Sequence, residues 1–136
     1  MRTNLLIILI VAGIVLATTP VEVHHSAAAA FDAKVPINLR GTIAKFEWIN
    51  PHTWIHVDVK RPDGTVERWE IEAGPPAGLV RRGFTKDSVA AGIEVVIQGH
   101  RARDGSLKGN AQYITLPDGR NLFAGSPGEE KQPPKK

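Results

Sequence analysis

Five histidines stand out in a 136-residue chain that has no cysteine: His24, His25, His52, His56 and His100. Neutral imidazole is a common metal ligand and suits copper and zinc. His52 and His56 are four residues apart. On a strand that spacing puts both on one face but ~13 Å apart, at ~3.3 Å per residue. They cannot share one ion unless the turn before them folds back. His24-His25 lies on a polar segment that could reach the Asn50-Pro51-His52 turn, so His24, His25 and His52 form the candidate metal set, for copper or zinc. The competing reading is a solvated His24-His25 pair, with His52 bonded to backbone in its own turn. For His56 and His100 the structural reading is the stronger one.

The tryptophans are the second chemical feature. Trp69 alternates with Ile71 and reads as core. Trp48 and Trp54 are candidates for exposure, and an exposed aromatic on a sheet offers a stacking platform for bases or sugars. The alternative is that Phe31 covers Trp54. Together these residues give a candidate ligand-binding set of Trp48, Asn50, His52, Trp54 and His56. The carboxylates Glu47, Asp58, Glu67, Glu70 and Glu72 mostly fall on outward positions of alternating strands and read as a solvated face. There is no Gly-x-Ser-x-Gly, no phosphate loop and no His-Glu-x-x-His, so an enzyme is not expected. Without cysteine, disulfides, thiolate catalysis, Cys-based zinc sites and lipidation at a cleavage-site cysteine are excluded.

These side chains are carried by strands. Ile37, Leu39, Gly41 and Ile43 alternate with Asn38, Arg40 and Thr42, as on a half-buried strand. The phase slips before Phe46 and Trp48, which predicts a bulge near Ala44-Lys45. A second strand, Thr53 to Lys60, puts Ile55, Val57 and Val59 on one face and Trp54, His56 and Asp58 on the other. Pro62-Asp63-Gly64 predicts a hairpin into a third strand with Val66, Trp69 and Ile71. Alternation stops between Gly74 and Gly92, where Ala77 to Arg82 suits one short helix with proline at its start. It returns with Ile93, Val95 and Ile97, and Arg103-Asp104-Gly105-Ser106 turns into a fifth strand from about Lys108 to Leu116. Asn121 to Ala124 suits a short closing strand. Three meandering strands, a helical link and a hairpin give an all-β fold with one short helix, an OB-like five-stranded barrel. An open β-sandwich is the alternative.

The N-terminal stretch speaks to location. Arg2 precedes an apolar run from Leu5 to Ala17, roughly 13 residues, where a membrane span needs ~20. This is the pattern of a secretory signal. Residues 1–17 are therefore expected to be a signal peptide cut after Ala17 (Thr19 being the other choice), with an uncleaved anchor as the competing reading. Residues 18–34 form a polar lead-in, 35–126 the β domain, and 127–136, rich in Pro, Gly and charge, a disordered tail. The net charge of +3 bears on solubility rather than fold. Lys and Arg do not cluster around aromatics, so nucleic acid is not an expected partner.

The chain resembles a family of small exported bacterial proteins known only as a domain of unknown function. The resemblance is carried by His24-His25-Ser26, Phe31-Asp32, Gly41-Thr42 and the stretch Glu47-Trp48-Ile49-Asn50-Pro51-His52-Thr53-Trp54. It continues through Leu79, Arg81-Arg82-Gly83-Phe84, Ala91-Gly92, Arg103-Asp104-Gly105 and Asp118-Gly119-Arg120. Phe84 departs from the family pattern, where Trp is more usual, as does Ala27-Ala28, where an aromatic tends to follow the Ser. The resemblance implies export and a small β-barrel, and no established activity. The expectation is a periplasmic or secreted binding or accessory module without a membrane anchor after cleavage. Its partner would be a ligand or a periplasmic protein, and the alternative is a copper or zinc binder.

Overall fold

The computed structural model describes residues 30–129. The expected signal peptide, His24 and His25, and the tail beyond residue 129 lie outside the described residues. Six strands and one short helix follow in the order β1 (Phe31–Glu47), β2 (Thr53–Lys60), β3 (Val66–Ala73), α1 (Pro76–Arg81), β4 (Glu94–Ala102), β5 (Lys108–Thr115) and β6 (Asn121–Phe123). The fold is all-β with one short helix. Antiparallel neighbours run β3-β2-β1-β4-β5-β6, and a parallel β3–β5 pairing closes the first five strands into a ring.

β1 belongs to two ladders at once. Its first half pairs with β4 from Pro36↔His100 to Thr42↔Glu94, and its second half pairs with β2 from Thr42↔Asp58 to Glu47↔Trp54. Gly41 sits at the changeover, where an added Cβ would lie 2.6 Å from the Asp58 carbonyl oxygen. Only a residue without a side chain lets the strands approach so closely. The register slips between Ile43 and Lys45. That extra residue turns Phe46 and Trp48 back toward the core they pack against, as the broken alternation predicts. At its start β1 reaches back past the expected domain boundary at residue 35 to Phe31, which lies opposite Ala102, so the last residues of the expected lead-in belong to the strand.

The interior of the ring is filled by the inward members of each alternating strand: Ile43, Ile55, Val57, Trp69, Ile71, Val95, Ile97 and Ile114, all buried. Each such side chain is worth about 1.5–3 kcal/mol of burial. α1 begins with Pro76, which tolerates the first helical position. The connection it opens adds Leu79, Phe84 and Val89 to the core. Three Asp-Gly turns share one device. Asp63, Asp104 and Asp118 each accept a bond from the backbone N–H two residues on, at 2.9, 2.9 and 3.0 Å, which is why aspartate favours these positions. Residues 126–129 close a further turn, with the Ser126 N–H donating to the Glu129 carboxylate at 3.1 Å.

Candidate functional site

The hairpin turn at Pro62-Asp63-Gly64 sets the register of β2 on β3, and that register pairs His56 with Glu70 and Trp54 with Glu72. Across the ring closure, Glu70 meets Lys108 and Glu72 meets Asn110 on β5. One outward face therefore carries Trp54, Glu72 and Lys108 together. A second wall comes from the start of β1 and the end of β4. The Arg103 N–H donates to the Ala30 carbonyl at 3.0 Å, and Phe31 lies opposite Ala102.

Between these walls is an open pocket of about 370 Å³, lined by Ala30, Phe31, Trp54, Glu72, Ala102, Arg103, Asp104 and Lys108. Small-ligand sites begin at roughly this size, ~300 Å³, and combine apolar lining with a few polar groups. Here Phe31 is buried and Trp54 half-buried. The two aromatics share the pocket, and Phe31 does not seal Trp54 away.

The charged lining groups differ in how far they are matched. Lys108 Nζ is 3.0 Å from Glu70 Oε2, and Arg103 Nη1 is 3.9 Å from Asp32 Oδ2. Asp104 accepts from the Ser106 hydroxyl at 2.6 Å and from its N–H at 2.9 Å, and those bonds hold its carboxyl below the ordinary range. Glu72 goes the other way. Burial raises its carboxyl, the charge of His52 opposes that rise, and Glu129 adds to it. Glu72 and Glu129 also border a second cavity of about 10 Å³. His52 Nδ1 lies 2.9 Å from Glu72 Oε1, yet it is buried without an aligned hydrogen-bond partner. Proximity without alignment makes this an electrostatic contact rather than a full hydrogen bond.

Of the five ligand-site candidates, Trp54 lines the pocket and His52 reaches it through Glu72. Trp48 stacks on Phe46 at 4.7 Å between ring centroids and packs on the core. Asn50 is exposed and precedes the cis Asn50–Pro51 peptide. His56 Nε2 is 2.8 Å from Glu47 Oε2, away from the pocket lining. His52 and His56 thus turn to different carboxylates. Among the described residues no group of three or more His, Asp or Glu side chains could hold a metal ion, and His24 and His25 of the candidate metal set lie outside them. The outward carboxylates are mostly paired as a solvated face would be, Asp58 with Arg68 and Glu67 with Arg61.

Glu72 is the member of that face with a different environment. Counting the hairpin register outward from Asp63-Gly64 would have placed it beside Trp54. Nothing local in the sequence marks Arg103 or Lys108 as neighbours of that tryptophan.

A model of a family of unknown function, DUF6152, matches residues 12–111. No curated protein and no solved structure matches the chain. Among the described residues no helix is long and apolar enough to cross a membrane.

Proposed function

The chain belongs to the DUF6152 family of unknown function, and we propose that it is a small exported binding or accessory module whose ligand or periplasmic partner engages the pocket beside Trp54. One observation carries this reading: two aromatic side chains, Phe31 and Trp54, share an open pocket of about 370 Å³ on the outer side of β2 and β3. We read the five-stranded ring as an OB-type barrel. In that fold the face of strands two and three, with the loops between strands one and two and between strands four and five, forms the binding surface. Here the β4–β5 hairpin supplies Arg103 and Asp104 to the pocket, and the β1–β2 connection supplies His52 to Glu72. Export rests on Arg2 and the short apolar run Leu5–Ala17.

Two measurements test the proposal. Mass spectrometry of the protein recovered from the periplasmic fraction should show a new N-terminus after Ala17 or Thr19, and a full-length chain retained in the cytoplasm would overturn export. A fragment screen by ¹⁵N NMR, using cationic, neutral and anionic aromatic probes, should shift the Trp54 indole N–H and the amides of residues 102–104. Those shifts should disappear in Trp54→Ala. If fragments of all three charges leave these signals unmoved, the pocket is not a binding site.

A further inference from the structure

Resting on the reading of this pocket as a binding site, we infer that it takes an organic cation: an amine or guanidine group carried on an apolar, preferably aromatic, body. Charge balance points to this class. Each lining cation already faces a carboxylate, Lys108 facing Glu70 at 3.0 Å and Arg103 facing Asp32 at 3.9 Å. The lining carboxylate Asp104 is held by Ser106. That leaves Glu72, whose side chain is 21% exposed and whose neighbour His52 approaches at 2.9 Å without the alignment of a hydrogen bond. The lining itself carries Glu72 and Asp104 against Arg103 and Lys108. Asp32 and Glu70 face the two cations and Arg101 also lies near Asp104, so Glu72 is the lining carboxylate whose charged neighbour, His52, gives it no aligned donor.

The aromatic walls favour the same class. A cation within about 6 Å of a tryptophan or phenylalanine ring face is attracted by the ring's quadrupole, and the attraction grows when both are removed from water. Trp54 and Glu72 are direct cross-strand partners, so a ligand nitrogen that reaches the Glu72 carboxylate also lies beside the indole. Charge-assisted bonds of this kind are roughly twice as strong as neutral ones. An anion entering the same space would meet Glu72 and would have to draw Lys108 or Arg103 away from the acids they already face.

The test uses three probes with one phenyl body and different charge: phenethylamine, 2-phenylethanol and 3-phenylpropionate. Each is titrated into the ¹⁵N-labelled protein while the Trp54 indole and the amides of residues 102–104 are followed. The expected order places phenethylamine first, by roughly tenfold over the alcohol, with the carboxylate weakest. Glu72→Gln, which keeps the shape and removes the charge, should erase the preference, while Glu47→Gln should leave it intact. The charge series in the unaltered protein stands without either variant. If the alcohol or the carboxylate binds as well as the amine, the inference is overturned and the binding-module reading survives. If none of the probes, nor any fragment of other charge, binds at Trp54, both fall.

Discussion

Two histidine–carboxylate pairs lie on the outer side of β2, and they behave in opposite ways. Glu47 and Glu72 have similar side-chain exposure, 27% and 21%. Glu47 accepts a bond from His56 at 2.8 Å and another from Lys45, and these donors hold its carboxyl below the ordinary range. Glu72 has His52 at a similar distance but out of line, and burial raises its carboxyl. Side-chain exposure alone does not separate the pairs: aligned donors from Lys45 and His56 lower one carboxyl, and burial without an aligned donor raises the other. A carboxylate whose hydrogen bonds are already made is part of the scaffold, whereas one left under-satisfied beside a pocket has capacity for a ligand.

The largest way to break this comparison is to disturb one pair's surroundings alone. Gly99 lies at the β4–β5 register shift, and an added Cβ would stand 1.8 Å from the Asn110 backbone oxygen. Gly99→Ala should lower stability by about 1–3 kcal/mol or more in urea unfolding. It should also distort the hairpin that lines the pocket, while the His56–Glu47 signals change little. Next in size, Trp54→Ala should abolish fragment shifts at residues 102–104, whereas Trp48→Ala should retain them and act mainly on stability. This is checked by the same NMR titration and by thermal melts.

A subtler contrast comes from pH. Glu47, with its lowered carboxyl, contributes stability present above its unfolded value near 4.5 and lost as the pH falls through its folded value. Glu72, with its raised carboxyl, contributes stability present below 4.5 and lost as the pH rises through its folded value. Glu47→Gln should therefore be most destabilising near neutral pH, with the penalty shrinking in acid. Glu72→Gln should be neutral or stabilising near pH 7 and lose that advantage in acid. Melting temperatures from pH 3 to pH 7 separate the two signs. The smallest effect expected is a direct one: in a carboxyl-carbon NMR titration Glu72 should titrate above 4.5 and Glu47 below it.

The strands were legible because their information is local. Alternation in β2 assigns Ile55 and Val57 inward and Trp54 and His56 outward, as their burial shows. The broken alternation at Ala44 marks the bulge, and the Asp-Gly turns mark hairpins through bonds that span two residues. The site was only half legible. Trp54 and His52 could be singled out by residue type, and Glu72 could have been paired with Trp54 by counting from the turn. The extension of β1 back to Phe31 continues the same alternation, Phe31, Ala33, Val35 and Ile37 against Asp32, Lys34 and Pro36. Ala33 to Pro36 are exposed, however, and the register on β4 slips between Phe31 and Pro36, so only the tertiary pairing shows where the strand begins.

For this protein the sequence by itself determined the order of strands, their inward faces and the turns between them. All of these depend on the type of a residue and its near neighbours. Only the tertiary structure decided that β3 meets β5, that the start of β1 lies along the end of β4, and that Phe31, Trp54, Glu72 and Lys108 therefore surround one pocket. Ring closure joins residues far apart in the chain, and whether a carboxylate is satisfied depends on donor alignment across that closure. No spacing along the sequence encodes either.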